Sequence, residues 1–390
     1  MEPVCVRRTQ RLEKELAEWA KTHSPSQDSD LDQQKPRPGG ITREDVFGPE
    51  PVDVRSESDA WKEIQNMVGL ESVKKEVDRL FILAKVNYQR ETQGEPPMSI
   101  NLNRVFLGNP GVGKSTVSML YGQIVAQLGF VTGGQVIIKN PGDLIGEYTG
   151  QSEAMTREAL EEAKGNILII DDAHMLHPHS ERDFHNGIID TLVANIYGLP
   201  GENRCVILAG YTDEMEDMFL KKNPGLQRRF PLEDTIKFPS YNDAQLPGIL
   251  DQKIARDEVL ASEHARKVAH EILSRMCIRP RFGNGVDVEN LLARAKLRQR
   301  DGLEAAGIDR FDMHHHPLEA SDFDPDYDRS LGADKDRDEL FEEFIGFETI
   351  VAQFSGYQKM TDGMRRHGID PRPYVPWAFV FKGPPGTGKT

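Results

Sequence analysis

The sequence predicts an α/β fold in which a parallel sheet lies between two layers of helices, followed by a small helical subdomain. Apolar runs of four to seven residues alternate with helix-like segments between residues 104 and 238. This alternation is typical of a parallel sheet that is covered by helices on both faces. After Tyr241 the apolar runs stop, and helical periodicity continues to about residue 305. The change of pattern predicts the second, helical part.

The strands and the later helices are each predicted from a local pattern. The runs that predict strands are RVFLG (104–108), QVIIK (135–139), NILIIDD (166–172), RCVILAG (204–210) and TIKF (235–238). Segments 261–276 and 289–303 are predicted helices. The apolar face of the first contains Ala265, Val268, Ala269, Ile272, Leu273 and Met276. Pro247 predicts a helix start near Leu246, because proline is tolerated only in a first turn.

We expect five segments along the 390-residue chain. An amphipathic pattern at 7–21 predicts a short helix, and the Ser-, Gln- and Pro-rich stretch at 22–45 predicts a disordered linker. The expected segments are an N-terminal helix and linker (1–60), a large αβ subdomain (61–240), a helical lid subdomain (241–305), an acidic linker (306–340) and the start of a second domain (341–390).

Two parts of the chain repeat in the same order. The segment FEEFIGFETIVAQFSGYQK (341–359) is similar to QNMVGLESVKKEVDRL (65–80), and GPPGTGKT (383–390) is similar to GNPGVGKS (108–115). Such repetition predicts tandem copies of one domain. The second copy stops within this glycine-rich segment at residue 390, so the sequence predicts a fragment of a longer protein.

Composition limits the classes of function. The formal charge of −15 argues against nucleic acid as a partner, because nucleic-acid binders usually present a basic surface. The three cysteines are far apart and form no CxxC pair, which favours a reducing compartment. No apolar run approaches the roughly 20 residues that span a bilayer, and the first residues lack the apolar core of a signal peptide. We expect an intracellular, soluble protein of the cytoplasm or nucleus with no membrane partner.

The segment GNPGVGKS fits the phosphate-binding loop GxxxxGK[ST] and lies between a predicted strand and a predicted helix, which is the context this motif requires. We expect the N–H groups of Gly111 and Gly113 to face the phosphates of ATP. Lys114 is predicted to reach the β- and γ-phosphates, and Ser115 to bind Mg²⁺. The predicted ATP-binding residues are Gly108, Asn109, Pro110, Gly111, Val112, Gly113, Lys114, Ser115 and Thr116, with Gly383, Pro384, Pro385, Gly386, Thr387, Gly388, Lys389 and Thr390 in the second copy.

The run NILIIDDA ends a predicted strand in two acids. Asp171 stands where a carboxylate holds the magnesium shell in nucleotide hydrolases of this kind. Asp172 stands where such enzymes usually have a glutamate that positions the attacking water. Aspartate is one methylene shorter, and this chemistry depends on position to within about 1 Å. Binding of ATP is therefore predicted more firmly than its hydrolysis.

Two arginines in NPGLQRRF (223–230) allow two interpretations. Arg228 and Arg229 are either exposed structural residues or include an arginine finger that reaches the γ-phosphate bound to a neighbouring copy. A finger supplied in this way requires a closed ring or a head-to-tail filament.

Seven blocks of sequence resemble an AAA+ ATPase with the P-loop NTPase fold, and are most similar to the group that contains the red-type Rubisco activase and stage V sporulation protein K. The resemblance covers about 61–305 and restarts near 341. The tandem arrangement also resembles large multi-AAA proteins of fungi. The blocks are VGLESVKKEV (68–77), LNRVFLGNPGVGKST (102–116), DLIGEYTGQS (143–152), ILIIDDAH (167–174), AGYTDEMEDMF (209–219), NPGLQRRF (223–230) and FGNGVDVENLL (282–292).

This resemblance implies ATP and Mg²⁺ as cofactors, a ring of copies that is typically a hexamer, and an unidentified protein substrate. Tyr148 and Gly150 match the aromatic-x-glycine pore loop that grips a polypeptide in the channel of the ring, and Thr149 lies between them at a position where an apolar residue is commoner. Tyr211 or Thr212 stands at the sensor-1 position, which contacts the nucleotide, and Arg229 matches the finger. The implied catalytic residues are Lys114, Asp172 and Arg229.

The sequence departs from the family pattern at three positions. Val286 occupies the position of the sensor-2 arginine, Glu289 stands where a basic residue is usual, and Asp172 replaces a glutamate. Two hypotheses follow: an ATP-driven motor that remodels a protein partner, and an ATP-binding assembly module with little hydrolysis. A helicase is a third, weaker hypothesis, because the arginines lie in the same domain as the loop.

Histidines cluster at 174–185 and at 314–316. A metal site is one interpretation, and variable polar loop sequence is the other. The basic run RAKLRQR (294–300) is interpreted as the solvated face of a lid helix.

Overall fold

The computed structural model describes residues 50–367 except 149, 177–184, 222–223, 281, 309–314 and 328–345, and it also describes isolated positions between 369 and 382. The chain divides into two compact units. The first contains residues up to Asn109 and Gly113–Pro239, and the second contains Pro110–Val112 and residues from Ser240 onward.

A five-stranded sheet forms the centre of the first unit, with strand order β2-β3-β4-β1-β5 and parallel pairing throughout. β1 pairs with both β4 and β5, so it lies inside the sheet. The fold class predicted from the sequence is confirmed. The strands are β1 (Arg104–Gly108), β2 (Val136–Lys139), β3 (Ile167–Ile170), β4 (Cys205–Gly210) and β5 (Ile236–Phe238).

Helices precede, connect and follow the strands, as a sheet covered on both faces requires. Those of the first unit are α1 (Pro51–Glu57), α2 (Asp59–Asn66), α3 (Glu71–Thr92), α4 (Lys114–Gln127), α5 (Gln151–Glu162), α6 (His185–Asn195), α7 (Thr212–Lys221) and α8 (Pro224–Arg229). Short 3₁₀ turns occupy Pro141–Asp143, Ala173–Leu176 and Leu232–Asp234.

Residues of β1 alternate between two buried layers, as period-2 geometry dictates. Val105 and Leu107 belong to a large apolar cluster on one face of the sheet. Phe106 points to the other face, where its ring meets Tyr121 edge-on at 5.6 Å and Phe238 at 5.4 Å. Burial on both faces holds β1 rigidly, and the loop that follows β1 starts from a fixed point.

The second unit is helical in the part described. It contains α9 (Leu246–Arg256), α10 (Glu263–Cys277), α11 (Gly285–Ala305), α12 (Ala320–Phe323) and α13 (Glu348–Arg366). Helix α9 begins at Leu246 with Pro247 in its first turn, as the sequence predicts. Ser262 caps α10 by accepting a hydrogen bond from the N–H of Ala265.

The predicted acidic linker 306–340 differs from the structure in its middle part. Leu318 and Phe323 are buried, and Leu318 bridges to Ala261 in the same unit. Arg298 donates hydrogen bonds to the carbonyls of Asp322 and Phe323. Leu318, Ala320 and Phe323 are apolar and buried among many acids, and averaging the composition over the whole stretch conceals them.

Both predicted copies share one local feature. Gly69 has φ 68° and lies two residues before Glu71, where α3 begins. Gly346 has φ 85° and lies two residues before Glu348, where α13 begins. The same left-handed glycine thus precedes the same helix in each copy.

Some sequence predictions fall outside the described residues. The N-terminal helix 7–21, Thr149 and the second loop Gly383–Thr390 belong to this group. Within the described residues, no helix is both long enough and apolar enough to cross a membrane.

Replacing Phe106 by alanine tests the central role of β1. Phe106 is fully buried, so we expect Phe106→Ala to lower the free energy of unfolding by about 3–5 kcal/mol, through lost burial and the cavity left behind. Urea unfolding followed by circular dichroism measures the change. Ile138→Ala in β2 is the control, because Ile138 is 49% exposed and its removal should cost well under half as much. Equal losses in both variants would contradict the assignment of the core.

Candidate nucleotide site

The loop after β1 reverses the chain through two left-handed glycines. Gly111 has φ 72° and Gly113 has φ 93°, a conformation that glycine adopts without steric cost. Helix α4 begins directly afterwards at Lys114. Free N–H groups at a helix N-terminus, together with the helix dipole, favour an anion.

Lys114 is buried at the start of α4, with 7% of its surface exposed. Its ammonium donates hydrogen bonds to the carbonyls of Gly108 at 2.9 Å and Asn109 at 3.0 Å. Burial lowers the pKa of Lys114, and the nearby carboxylates of Asp172 and Asp171 act in the opposite direction. The loop therefore holds a cation at the carboxyl end of β1.

Two carboxylates follow β3 at the same edge of the sheet. The N–H of Asp171 donates a hydrogen bond to the backbone carbonyl of Lys139 in the neighbouring strand at 2.9 Å. One carboxylate oxygen of Asp171 accepts a hydrogen bond from the N–H of Asp172 at 3.0 Å. Asp172 has φ 50°, a left-handed conformation that aspartate tolerates better than most residues. Half of the Asp172 side chain is exposed, so it can contact a water molecule.

His174 and Tyr211 form a stacked pair next to these acids. The two rings are 3.9 Å apart with an interplanar angle of 30°, and the ammonium of Lys114 lies 4.8 Å from the centre of the Tyr211 ring. Burial lowers the pKa of His174, so its imidazole is neutral at neutral pH. Its Nδ1 lies 3.8 Å from a carboxylate oxygen of Asp172 and has no hydrogen-bond partner within the described part of the chain.

The sequence left Tyr211 and Thr212 as alternatives for the sensor position. Tyr211 directly follows β4, and its ring reaches Lys114, whereas Thr212 begins helix α7. Burial, followed by the charge of Asp172, raises the pKa of the Tyr211 hydroxyl. The structure therefore brings Tyr211 to the site. The position of His174 at this site does not follow from the sequence pattern, in which His174 belongs to a cluster with the later histidines. Its position three residues after Asp171 was the available signal.

The two arginines of α8 have different surroundings. Arg229 donates from Nε to the carbonyl of Ile196 at 3.0 Å and from Nη1 to that of Gly225 at 3.2 Å. Arg228 is exposed. The guanidinium of Arg229 is thus hydrogen-bonded within its own unit, in line with the structural interpretation that the sequence allows, and its function as a finger stays a prediction.

Tyr148 stands on an exposed turn before α5. It is 72% exposed, and its N–H and that of Glu147 donate to the side-chain carbonyl of Gln151. Gly150 follows with φ 87° and caps α5. The turn is held by its own hydrogen bonds and presents an aromatic ring to solvent.

The residues present suit Mg²⁺ better than a metal that needs many protein ligands. Ser115 is exposed in the first turn of α4, and Asp171 supplies a carboxylate. Magnesium usually takes one or two protein oxygens and completes its shell with water and phosphate. Within the described ranges, no group of three His, Cys, Asp or Glu side chains could hold a metal ion. His177, His179 and His314 lie outside those ranges.

The two remaining departures from the family pattern lie in α11 of the second unit. Val286 is exposed near the start of this helix. Glu289 pairs with Lys253 and with Arg256, the latter at 2.8 Å, both on α9. An acid at position 289 therefore joins two helices of the lid.

Two family descriptions match the chain in adjacent segments. Residues 104–232 match the ATPase family associated with various cellular activities (AAA), and residues 242–333 match the AAA lid domain. The second match extends past residue 305, in agreement with the packed segment around Leu318.

Curated relatives cover most of the same region. Protein CbxX (plasmid) of Cupriavidus necator is 34% identical over 260 residues, which are 66% of this chain and 81% of the relative. Stage V sporulation protein K of Bacillus subtilis is 36% identical over 60% of this chain and 72% of its own length. The chloroplastic ribulose bisphosphate carboxylase/oxygenase activase of Cyanidioschyzon merolae is 31% identical over 64% of this chain and 85% of its own. The chain therefore belongs to the AAA ATPase family and is related to the group that contains these proteins.

Proposed function

We propose that this chain binds Mg-ATP at its first loop and hydrolyses it within a ring of copies, which couples hydrolysis to the remodelling of a protein partner. The observation that carries the proposal is the position of Lys114. Its ammonium is held by the carbonyls of Gly108 and Asn109 and lies beside Tyr211. These residues come from the carboxyl ends of β1 and β4, where ligands of open parallel sheets bind.

Each site residue has a role that follows from its chemistry. Lys114 and the loop N–H groups stabilise negative charge on the phosphates. Ser115 and Asp171 would hold Mg²⁺, which when bound neutralises phosphate charge. The half-exposed carboxylate of Asp172 orients the attacking water and accepts its proton. The ring is supported by family membership and by the resemblance of Arg229 to a finger.

Tyr148 suits contact with a polypeptide. An exposed aromatic ring on a short, internally bonded turn offers a large apolar surface with little flexibility to lose. The sequence places it in the segment that resembles a pore loop. We propose that this turn contacts the protein substrate in the channel of the ring.

An ATP-binding module with little hydrolysis is the second candidate. Two observations favour it: the shorter carboxylate of Asp172, and Val286 where the resemblance leads us to expect a phosphate-sensing arginine. In that case bound nucleotide would stabilise the fold and the contact between copies by mass action.

Phosphate release from Mg-ATP by the full chain tests the proposed function. We expect turnover per copy to rise with protein concentration, because a ring must assemble. Lys114→Ala should abolish turnover and weaken ATP binding roughly a hundredfold, since it removes charge-assisted hydrogen bonds to phosphate. Lys164→Ala is the control, because Lys164 is exposed and pairs with Glu161 away from the loop. Unchanged ATP affinity in Lys114→Ala would contradict the site.

Substitution of Asp172 separates the two candidates. We expect Asp172→Asn to lower kcat about a hundredfold with little change in ATP affinity, because the amide cannot accept the proton of water. Asp172→Glu should keep a rate close to that of the wild type. Steady-state phosphate release and fluorescence titration give the two quantities. An inactive wild type that gains turnover on Asp172→Glu would instead favour the binding module.

Arg228 and Arg229 provide a matched pair for the predicted finger. We expect Arg229→Ala to lower kcat about a thousandfold while ATP still binds, because a finger stabilises the transition state of phosphoryl transfer. Arg228→Ala, in the adjacent exposed position, should keep most of the activity. Melting temperatures of both variants control for the loss of the Arg229 hydrogen bonds to Ile196 and Gly225. If Arg228→Ala alone abolishes turnover, the finger has been assigned to the wrong residue.

A further inference from the structure

Three consecutive carbonyls of the nucleotide loop accept hydrogen bonds within the second compact unit. That unit contains loop residues 110–112 as well as Tyr241 and the turn 283–285. The bonds run from Nδ2 of Asn284 to Pro110 at 3.0 Å, from the N–H of Gly285 to Gly111 at 2.9 Å, and from the hydroxyl of Tyr241 to Val112 at 3.2 Å. Every peptide in this part of the loop thus has its oxygen fixed.

Fixing the oxygen of a peptide also fixes the N–H of the next residue. The peptide is planar, and the described residues include no cis bond, so the C=O and the following N–H point in opposite directions. The N–H groups of Gly111, Val112 and Gly113 are therefore turned away from Asn284, Gly285 and Tyr241. Among the described residues, none accepts a hydrogen bond from these three N–H groups.

The tip of the loop is also in close contact with the turn. A Cβ added to Gly111 would lie 2.1 Å from the carbonyl oxygen of Gly283 and 3.1 Å from a methyl of Val286. Backbone approaches backbone here, and only glycine fits. The constraint at position 111 thus comes from neighbouring protein atoms as well as from the left-handed φ of the loop.

The hydrogen bonds of Asn284 hold the loop against the turn 283–285. Its side chain is fully buried, with Oδ1 accepting from the N–H of Tyr241 at 2.9 Å and Nδ2 also donating to Phe282 at 3.2 Å. Its backbone has φ 51° and ψ −124°, a conformation that a non-glycine residue adopts only when its surroundings enforce it. The strain is offset by a side-chain amide that has all its strong groups bonded.

We infer that Asn284 and Tyr241 are positioning residues for the phosphates of the nucleotide. They hold three successive loop N–H groups in one orientation before the nucleotide arrives, so that the anion meets a preformed nest. The inference rests on the proposed ATP site. It means that the second compact unit acts on the phosphates through the backbone of the loop. Val286, in the same unit, has no charged group that could contact the phosphates directly.

Tyr241→Phe tests this inference with the loss of a single hydroxyl. The probes are Mg-ATP and magnesium tripolyphosphate, which has phosphates but neither base nor sugar, each displacing a fluorescent ATP analogue from the full chain. We expect both affinities to fall about fivefold, the effect of one hydrogen bond, with an unchanged melting temperature. Tyr197→Phe, at an exposed tyrosine, should change neither. Unchanged affinities, or a loss for ATP alone, would overturn the inference.

Asn284→Ala gives a second, larger test with its own control. We expect the affinity for both probes to fall about tenfold or more. Asn284 bonds directly to the carbonyl of Pro110, and it also holds Tyr241, whose hydroxyl bonds to Val112. Asn87→Ala removes a similarly buried amide, which bonds to the backbone of Met98, and should lower the melting temperature without changing either affinity. Equal affinity losses in both variants would assign Asn284 a purely structural role. Absence of ATP binding by the wild type would instead refute the proposed function itself.

Discussion

The buried ammonium of Lys114 is the interaction on which the site depends. A charge removed from water is costly unless it is paired or hydrogen-bonded. Here the carbonyls of Gly108 and Asn109 supply the bonds, and the face of Tyr211 covers the third side. Those carbonyls are available only because the chain turns sharply through glycines directly after β1. The order of the strands then places the residues that follow β3 and β4 beside the same cation.

Much of this arrangement could be predicted from the sequence because its causes are local. The strands are short apolar runs bounded by polar residues, and the loop is a contiguous motif between a strand and a helix. The stacking of His174 on Tyr211 could not be predicted, since it requires β3 and β4 to be neighbours and a 3₁₀ turn after Asp172. The fixed guanidinium of Arg229 and the packed residues around Leu318 likewise depend on contacts distant in sequence.

The departures from the family pattern are accommodated within the lid. Glu289 joins α9 and α11 through Lys253 and Arg256, a contact that a basic residue at position 289 would replace with repulsion. Val286 has an apolar side chain and supplies no cation at its own position. The loop backbone in the same unit is nevertheless held at three carbonyls, so order in the phosphate-binding residues does not require an arginine there.

The charges around Lys114 indicate why the proposed site would bind ATP together with Mg²⁺ rather than free ATP. One ammonium faces two carboxylates, Asp171 and Asp172, both close enough to affect its pKa. ATP without a metal carries several negative charges and would meet these acids with only one cation in between. In the proposed site Mg²⁺ would reverse this balance, because Asp171 would hold the cation and Asp172 would lie beside the attacking water. Bound cations are often the largest local charges in such sites. In the proposed site the two aspartates would thus disfavour free ATP and favour its magnesium complex, so the same acids that weaken binding of the bare anion would make the site selective.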